Sequence, residues 1–221
     1  MANKAILIGG ITGSLGSALA KRAAASGYQV GGFSPSAEDG ENEGQWHRKV
    51  EGTDSKAVDQ VFADFKKEFD QIDAYVHAIG SVFIKPGHMT SDEEFHEVID
   101  RNLNSAFYAT RAAVKNMRKA KQGSIVLVST VAVQAGLSNH EAIAAAKGGV
   151  EGLVRATAAT VASANIRINA IAPGLVESKS TRMMTENEQA KALSSRMHPL
   201  GRIGQADEIA SLAHWLVSSD A

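Results

Sequence analysis

Cysteine is absent from this 221-residue chain. That excludes disulfides, thiolate metal sites and a cysteine nucleophile. No run of about 18 apolar residues occurs, so no segment reads as a membrane-spanning helix. Met1–Gly9 holds a short apolar run that reads as a strand, without the basic region and long apolar stretch of a signal peptide. An excess of charge of one sign is missing too: the formal net charge is −1. No global field recruits nucleic acid or an anionic membrane. These absences lead us to expect a cytoplasmic protein with no metal site and neither nucleic acid nor membrane as a partner. Aromatics make up 5% of the chain, and its 3 tyrosines are Tyr28, Tyr75 and Tyr108.

What is present is an ordinary globular composition, 44% hydrophobic and 21% charged, at a length that suits one domain, 1–221. Apolar runs of strand length alternate with helix-period segments. The strands read as Ala5–Ile8, Tyr28–Phe33, Trp46–Val50, Ala74–Ile79, Ser124–Val128 and Ile166–Ile171. Leu15, Ala18, Leu19 and Ala23 recur at helical spacing, as do Val58, Val61, Phe62 and Phe65. Phe95 to Phe107 carries one continuous apolar stripe that includes Asn102, and an inward asparagine must be hydrogen-bonded. Ala142–Ala162 is an alanine-rich helix, and Ile209, Leu212, Ala213 and Leu216 stripe the last one. Residues 34–45 are turn formers and acids and read as a loop. A β-α-β-α order with strands apolar on both faces predicts an α/β fold: a doubly wound parallel sheet of Rossmann type in three layers.

The first strand runs into Gly9-Gly10-Ile11-Thr12-Gly13-Ser14-Leu15-Gly16, where a helix begins. Glycines there let backbone N–H groups approach a pyrophosphate, and the helix N-terminus adds partial positive charge. The same glycines also suit a tight turn without a ligand; the strand before and helix after favour the dinucleotide. Ser34 and Pro35 stand at the end of the second strand, where an acid would hold a ribose hydroxyl and a base a 2′-phosphate. The loop beyond carries Glu38, Asp39, Glu41 and Glu43 and no base. If it faces the adenosine it repels a 2′-phosphate and favours NAD, with NADP left open; if it is only solvated surface it decides nothing.

Several motifs extend this reading. Asp73-Ala74-Tyr75-Val76-His77-Ala78-Ile79-Gly80 lies in the middle of the sheet, Arg101-Asn102-Leu103 in the long helix, and Lys147-Gly148-Gly149-Val150-Glu151-Gly152-Leu153 in the alanine-rich one. Ile166-Arg167-Ile168-Asn169-Ala170-Ile171-Ala172-Pro173-Gly174 and Pro199-Leu200-Gly201-Arg202-Ile203-Gly204 follow. Over nearly its whole length the chain resembles the short-chain dehydrogenase/reductase family. In the family's glycine pattern, Gly9 replaces a threonine and Ser14 the middle glycine, while Gly10 and Gly16 match. His77-Ala78-Ile79-Gly80, in place of Asn-Asn-Ala-Gly, is similar to the enoyl-acyl-carrier-protein reductase branch.

The resemblance implies cofactor contacts at Gly10, Thr12, Ser14, Leu15, Gly16 and Ser34, and at Glu51 beside the adenine. It adds Ala78, Ile79 and Gly80 as backbone support, and His77 as a packed, hydrogen-bonded residue or a catalyst. Pro173 and Gly174 shape the turn over the nicotinamide, Val176 offers its backbone to the carboxamide, and Ser178 its hydroxyl. Residues 179–198 form the substrate lid. The family's catalytic set implies Asn102 for a relay water, Thr130 for the substrate oxygen, and Lys147 for the ribose and the proton wire. The family tyrosine, four residues before the lysine, is Ile143 here, which cannot transfer a proton. The enoyl-reductase branch spaces its tyrosine seven residues before the lysine, nearly two turns away, which implies His140 as a candidate proton donor; the alternative is an exposed loop histidine in a chain that has lost catalysis. The function implied is NAD(P)-dependent hydride transfer to a carbonyl or enoyl substrate, a small molecule. The alternative is a non-catalytic dinucleotide-binding or assembly subunit. The family's last strand is expected to be missing. A homodimer is expected through the helices starting near Asp92 and Lys147, where small residues such as Ala156, Ala159 and Ala162 suit close approach.

Overall fold

A computed structural model describes residues 4–221; Met1–Asn3, the start of the apolar run read as a strand, lie outside the described residues. Strand β1 (Ala5–Gly9) is buried throughout. β2 (Gln29–Ser34), β3 (Gly40–Asn42), β4 (Gln45–Lys49), β5 (Ala74–His77), β6 (Gly123–Val128) and β7 (Ile166–Ile171) complete one seven-stranded sheet. The spatial order is β3-β4-β2-β1-β5-β6-β7. Every neighbouring pair is parallel except β3 with β4.

β3 corrects the expectation of a loop over 34–45. Asn42 pairs with Gln45, so Glu43 and Gly44 form a two-residue hairpin loop, with φ of 51° and 73°. Two positive φ angles match the right-handed twist of the flanking strands. The loop's acids stay exposed, except that Asp39 accepts from the Lys49 N–H at 2.6 Å.

The helices are α1 (Ser14–Ala25), α2 (Ser55–Phe69), α3 (Asp92–Ile99), α4 (Ser105–Met117), α5 (Ala132–Ala135), α6 (Glu141–Val161), α7 (Arg182–Thr185), α8 (Glu188–Arg196) and α9 (Ala206–Val217). The side-chain period of two along a strand divides them into two layers. Leu7, Phe33, Tyr75 and Ile125 pack with Phe62 and Phe65 of α2, Ala109 of α4 and Val150 of α6. Their neighbours Ile6, Ile8, Val76 and Val126 pack with Leu19 and Ala23 of α1 and Ala213 of α9. Each fully buried side chain of this size contributes about 1.5–3 kcal/mol.

α3 and α4 are the two halves of the long helix, joined by a π turn at Asp100–Asn104. α3 starts in a reciprocal cap: Ser91 Oγ accepts from the Glu94 N–H, and Glu94 accepts from the Ser91 N–H. The segment read as a lid contains a 3-10 turn at Lys179–Thr181 followed by α7 and α8. Before it, β8 (Val176–Glu177) pairs with β9 (Gly204–Gln205), just ahead of α9.

Candidate active site

The carboxyl ends of β1, β5, β6 and β7 open onto one cleft of about 220 Å³. This is where an open parallel sheet binds ligands. Gly13, Ser14 and Leu15 line it after β1, Ala78–Val82 after β5, Val128–Thr130 after β6, and Pro173, Gly174 and Val176 after β7. Lys147 reaches in from α6, and Ser178, Ser180 and Thr181 close one side.

The glycine turn is held by backbone. Gly10 has φ +82°, and its N–H donates to the Phe33 carbonyl at 2.7 Å. A Cβ on Gly10 would lie 2.9 Å from the Ala78 carbonyl, and one on Gly16 would run into the Gly10 carbonyl oxygen. These two glycines therefore let β1, β5 and α1 meet, while Gly13 faces the cleft. α1 starts at Gly13 with no side-chain cap and no acid in its first turn. Its first N–H groups have no intrahelical acceptor and suit an anion. Ser14 is already engaged: its Oγ accepts from the Lys179 N–H at 3.0 Å, and Lys179 Nζ donates to the Thr12 carbonyl at 3.2 Å. The start of the lid segment is thereby tied to the glycine turn. Its far end is tied by His198, whose Nε2 accepts from the Leu175 N–H at 3.1 Å.

Lys147 is 6% exposed, and its Nζ donates to the Val128 carbonyl at 2.8 Å. Burial lowers its pKa from 10.5 to about 8. Asn102 is fully buried in the π turn. Its Oδ1 accepts from the Ser81 N–H at 3.0 Å, and its Nδ2 donates to Ser81 Oγ at 3.0 Å and the Val98 carbonyl at 2.9 Å. Gly80 separates the two side chains: a Cβ there would lie 2.9 Å from Asn102 Oδ1 and 3.2 Å from Lys147 Nζ.

His77 lies beneath this site. Ser105 Oγ donates to the Arg101 carbonyl at 2.7 Å, which leaves its oxygen to accept from His77 Nε2 at 3.1 Å. His77 Nδ1 then accepts from the Tyr75 hydroxyl at 2.7 Å. Burial first, and the nearby Lys147 charge second, lower the His77 pKa to about 3. The ring is neutral and bonded at both nitrogens, the packed role rather than the catalytic one.

The other expected site residues divide. Ser14, Leu15, Ala78, Ile79, Gly80, Thr130, Lys147, Pro173, Gly174, Val176 and Ser178 line the cleft. Thr12 and Ser34 lie beside it in a hydroxyl cluster: Thr12 Oγ1 is 2.7 Å from Ser34 Oγ and 2.8 Å from Ser36 Oγ. Glu51 is exposed, and its carbonyl accepts from the Asp54 N–H at 3.1 Å. Ile143 is 6% exposed in an apolar cluster with Val98, Ala142 and Ala146. His140 precedes α6, half-buried, with its Nδ1 2.7 Å from the Ser138 carbonyl; it is not among the residues lining the cleft. Ser129 was missed. It is buried beside Thr130, lines the cleft, and donates to Glu151 Oε1 at 2.8 Å. The Ser129-Thr130 pair was the available signal. Among the described residues no cluster of three or more metal-ligating side chains occurs, and no helix is long and apolar enough to cross a membrane.

An uncapped helix N-terminus, glycines without room for a Cβ, and a buried lysine on one cleft fit a dinucleotide. Comparison with known proteins agrees. A family described as Enoyl-(Acyl carrier protein) reductase matches residues 10–221. The 3-oxoacyl-(acyl-carrier-protein) reductase FabG of Escherichia coli is 31% identical over 225 residues, covering 99% of this chain and 91% of that protein. Aldohexose dehydrogenase AldT of Thermoplasma acidophilum, solved ligand-free, has a TM-score of 0.91 at 26% identity, covering 99% of this chain and 88% of its own. ElxO with NADP bound has a TM-score of 0.90 at 23% identity, with 99% and 92% covered, a likeness of fold alone.

Proposed function

The chain belongs to the short-chain dehydrogenase/reductase family, and from that premise we propose an NAD(P)-dependent oxidoreductase acting on a carbonyl, or on an activated carbon–carbon double bond, of a small molecule. One observation carries this reading: the uncapped start of α1 and the buried Lys147 open onto the same cleft. When bound, the reduced nicotinamide supplies hydride to a substrate carbon. The chain's own groups bind, orient and move the proton. First-turn N–H groups of α1 hold the pyrophosphate. Pro173, Gly174 and Val176 wall the nicotinamide end, with Ser178 beside them. Lys147 holds the ribose. The hydroxyl of Thr130, whose oxygen accepts from the Ala132 N–H at 3.3 Å and whose proton is free, positions the substrate oxygen, while Ser129 is held by Glu151. Asn102 fixes Ser81 and the π turn, and its amide, facing Gly80, orders a relay water. Residues 179–198 act as the lid over the substrate.

We read the chain as an atypical member. Ile143 stands at the family's tyrosine position, and His77-Ala78-Ile79-Gly80 carries the enoyl-reductase-like pattern. His140 is one candidate for the missing proton donor. The same substitution favours a second reading, a dinucleotide-binding subunit without turnover. For the cofactor we propose NAD, because Glu38, Glu41 and Glu43 stay exposed in the segment around β3, which holds no base. The assembly proposed is a cytoplasmic homodimer through the long helix of α3 and α4 and through α6, where Ala156 and Ala159, and Ala162 just beyond the end of α6, are exposed.

Fluorescence titration with NADH and NADPH, followed by turnover on 3-oxo thioesters, simple ketones and an enoyl thioester, tests this function. NADH is expected to bind tighter at low ionic strength, with the gap closing as salt screens the acids. Turnover is expected with at least one carbonyl. Tighter NADPH binding overturns the cofactor assignment, and binding without turnover on every substrate favours the second reading.

A further inference from the structure

We propose that the Lys147 ammonium is itself the group that hands the proton to the substrate oxygen, with no intervening side chain; this rests on the reductase reading above. The argument begins with what lines the cleft. Among the residues that form its walls, Lys147 is the one ionisable side chain. The tyrosines are elsewhere. The Tyr28 hydroxyl lies 3.5 Å from the Val217 carbonyl, Tyr75 is fully buried against His77, and Tyr108 of α4 sits beneath the Arg111 guanidinium. His77 has both ring nitrogens bonded inside the core. His140 holds the Ser138 carbonyl outside the cleft wall.

Lys147 has donors to spare. An ammonium carries three, and the Val128 carbonyl is its one bonded acceptor among the described residues. Gly80 leaves the space beside Nζ open, since a Cβ there would sit 3.2 Å from it. One helical turn back, Ile143 packs among Val98, Ala142 and Ala146 and puts no hydroxyl in the way. Burial brings the ammonium to a pKa of about 8. It is charged at neutral pH yet acidic enough to release a proton, the range in which a general acid works best. The step balances. Carbonyl reduction places hydride from the reduced dinucleotide on carbon, and the carbonyl π pair becomes an O–H bond with the proton leaving Nζ. The neutral amine left behind recovers a proton from water.

Lys147→Arg separates proton transfer from holding the ribose. Arginine keeps the charge and the donors but does not release a proton near neutral pH. With a 3-oxo thioester and NADH at a concentration that saturates the variant, as set by fluorescence titration, Lys147→Arg is expected to lose about 10²–10⁴-fold in kcat. The wild-type kcat/KM for reduction is expected to be level below pH 8 and to fall tenfold per pH unit above it. A readout without turnover is the ¹³Cε shift of Lys147 in the free, lysine-labelled protein, assigned with the same variant, which should titrate near 8. Turnover by Lys147→Arg within threefold of wild type, or a midpoint near 10.5, overturns the proposal, even should Lys147→Arg fold poorly in the case of the midpoint. A loss over 100-fold on His140→Ala, with Lys147→Arg still active, gives the role to His140. A wild type that binds NADH but reduces nothing overturns the reductase reading itself and this proposal with it.

Discussion

Gly80 shows how much one missing methyl can decide. Asn102 Oδ1 and Lys147 Nζ approach the point where its Cβ would be, at 2.9 and 3.2 Å. Neither can withdraw freely, because one holds the Ser81 N–H and the other the Val128 carbonyl. Gly80→Ala should push Nζ off its position while leaving the fold. Unfolding in urea should show a loss of about 1–3 kcal/mol, and steady-state turnover a loss of tenfold or more, since displacements of about 1 Å can cost 100-fold. Unchanged turnover would show that the two side chains have room to spare. Gly80 was readable as a cofactor neighbour from its place after β5, but this steric role was not, because it depends on two residues distant in sequence. Gly16 shows the same limit. Its motif was legible, yet its hydrogen faces the Gly10 carbonyl rather than a ligand. Gly16→Val therefore strikes the fold as well as cofactor affinity.

At the scale of elements, the long helix was legible as an apolar stripe and its interruption was not. A single π turn adds one residue without erasing the stripe on either side. The trace it left in the sequence was an asparagine on the buried face. Asn102 answers two backbone groups, the Ser81 N–H and the Val98 carbonyl. π turns inside helices often mark functional sites, and this one places Asn102 beside Gly80. Asn102→Ala removes the acceptor of the Ser81 N–H and a side-chain donor of the Val98 carbonyl. The loss should cost about 1–3 kcal/mol, measurable as a lowered urea midpoint, with faster amide exchange at Ser81. A cost under about 0.5 kcal/mol would mean that water replaces the amide fully. β3 escaped notice for a related reason. Its exposed Gly40-Glu41-Asn42 has no apolar alternation, and only the Glu43-Gly44 pair hinted at a tight hairpin.

At the scale of the whole molecule, the sheet was legible because both of its faces are covered. Ile6 and Ile8 serve one helical layer and Ala5 and Leu7 the other, so β1 reads as an unbroken apolar run. What such a run conceals is a polar chain at the middle of the core, Tyr75–His77–Ser105. That chain gives the molecule a pH dependence. The folded state holds His77 neutral down to about pH 3, against an ordinary value of 6.5. Between those limits the unfolded chain binds a proton that the folded one refuses, so stability falls as pH drops below about 6.5. Lys147 has the same sign in a different window. From about 8 to 10.5 the folded state has released its proton and the unfolded chain has not, so its contribution to stability rises with pH. His77→Asn isolates the acid effect. At pH 7 the variant should be less stable than wild type by about 1–3 kcal/mol, because Tyr75 and Ser105 lose their shared partner. At pH 4.5 wild type alone bears the cost of excluding a proton from position 77. The gap in urea unfolding free energy should therefore narrow by about 2–3 kcal/mol between the two pH values, enough to close or reverse it. A gap of equal size at both would mean that His77 binds its proton equally well folded and unfolded, and the buried chain would then have no part in acid stability.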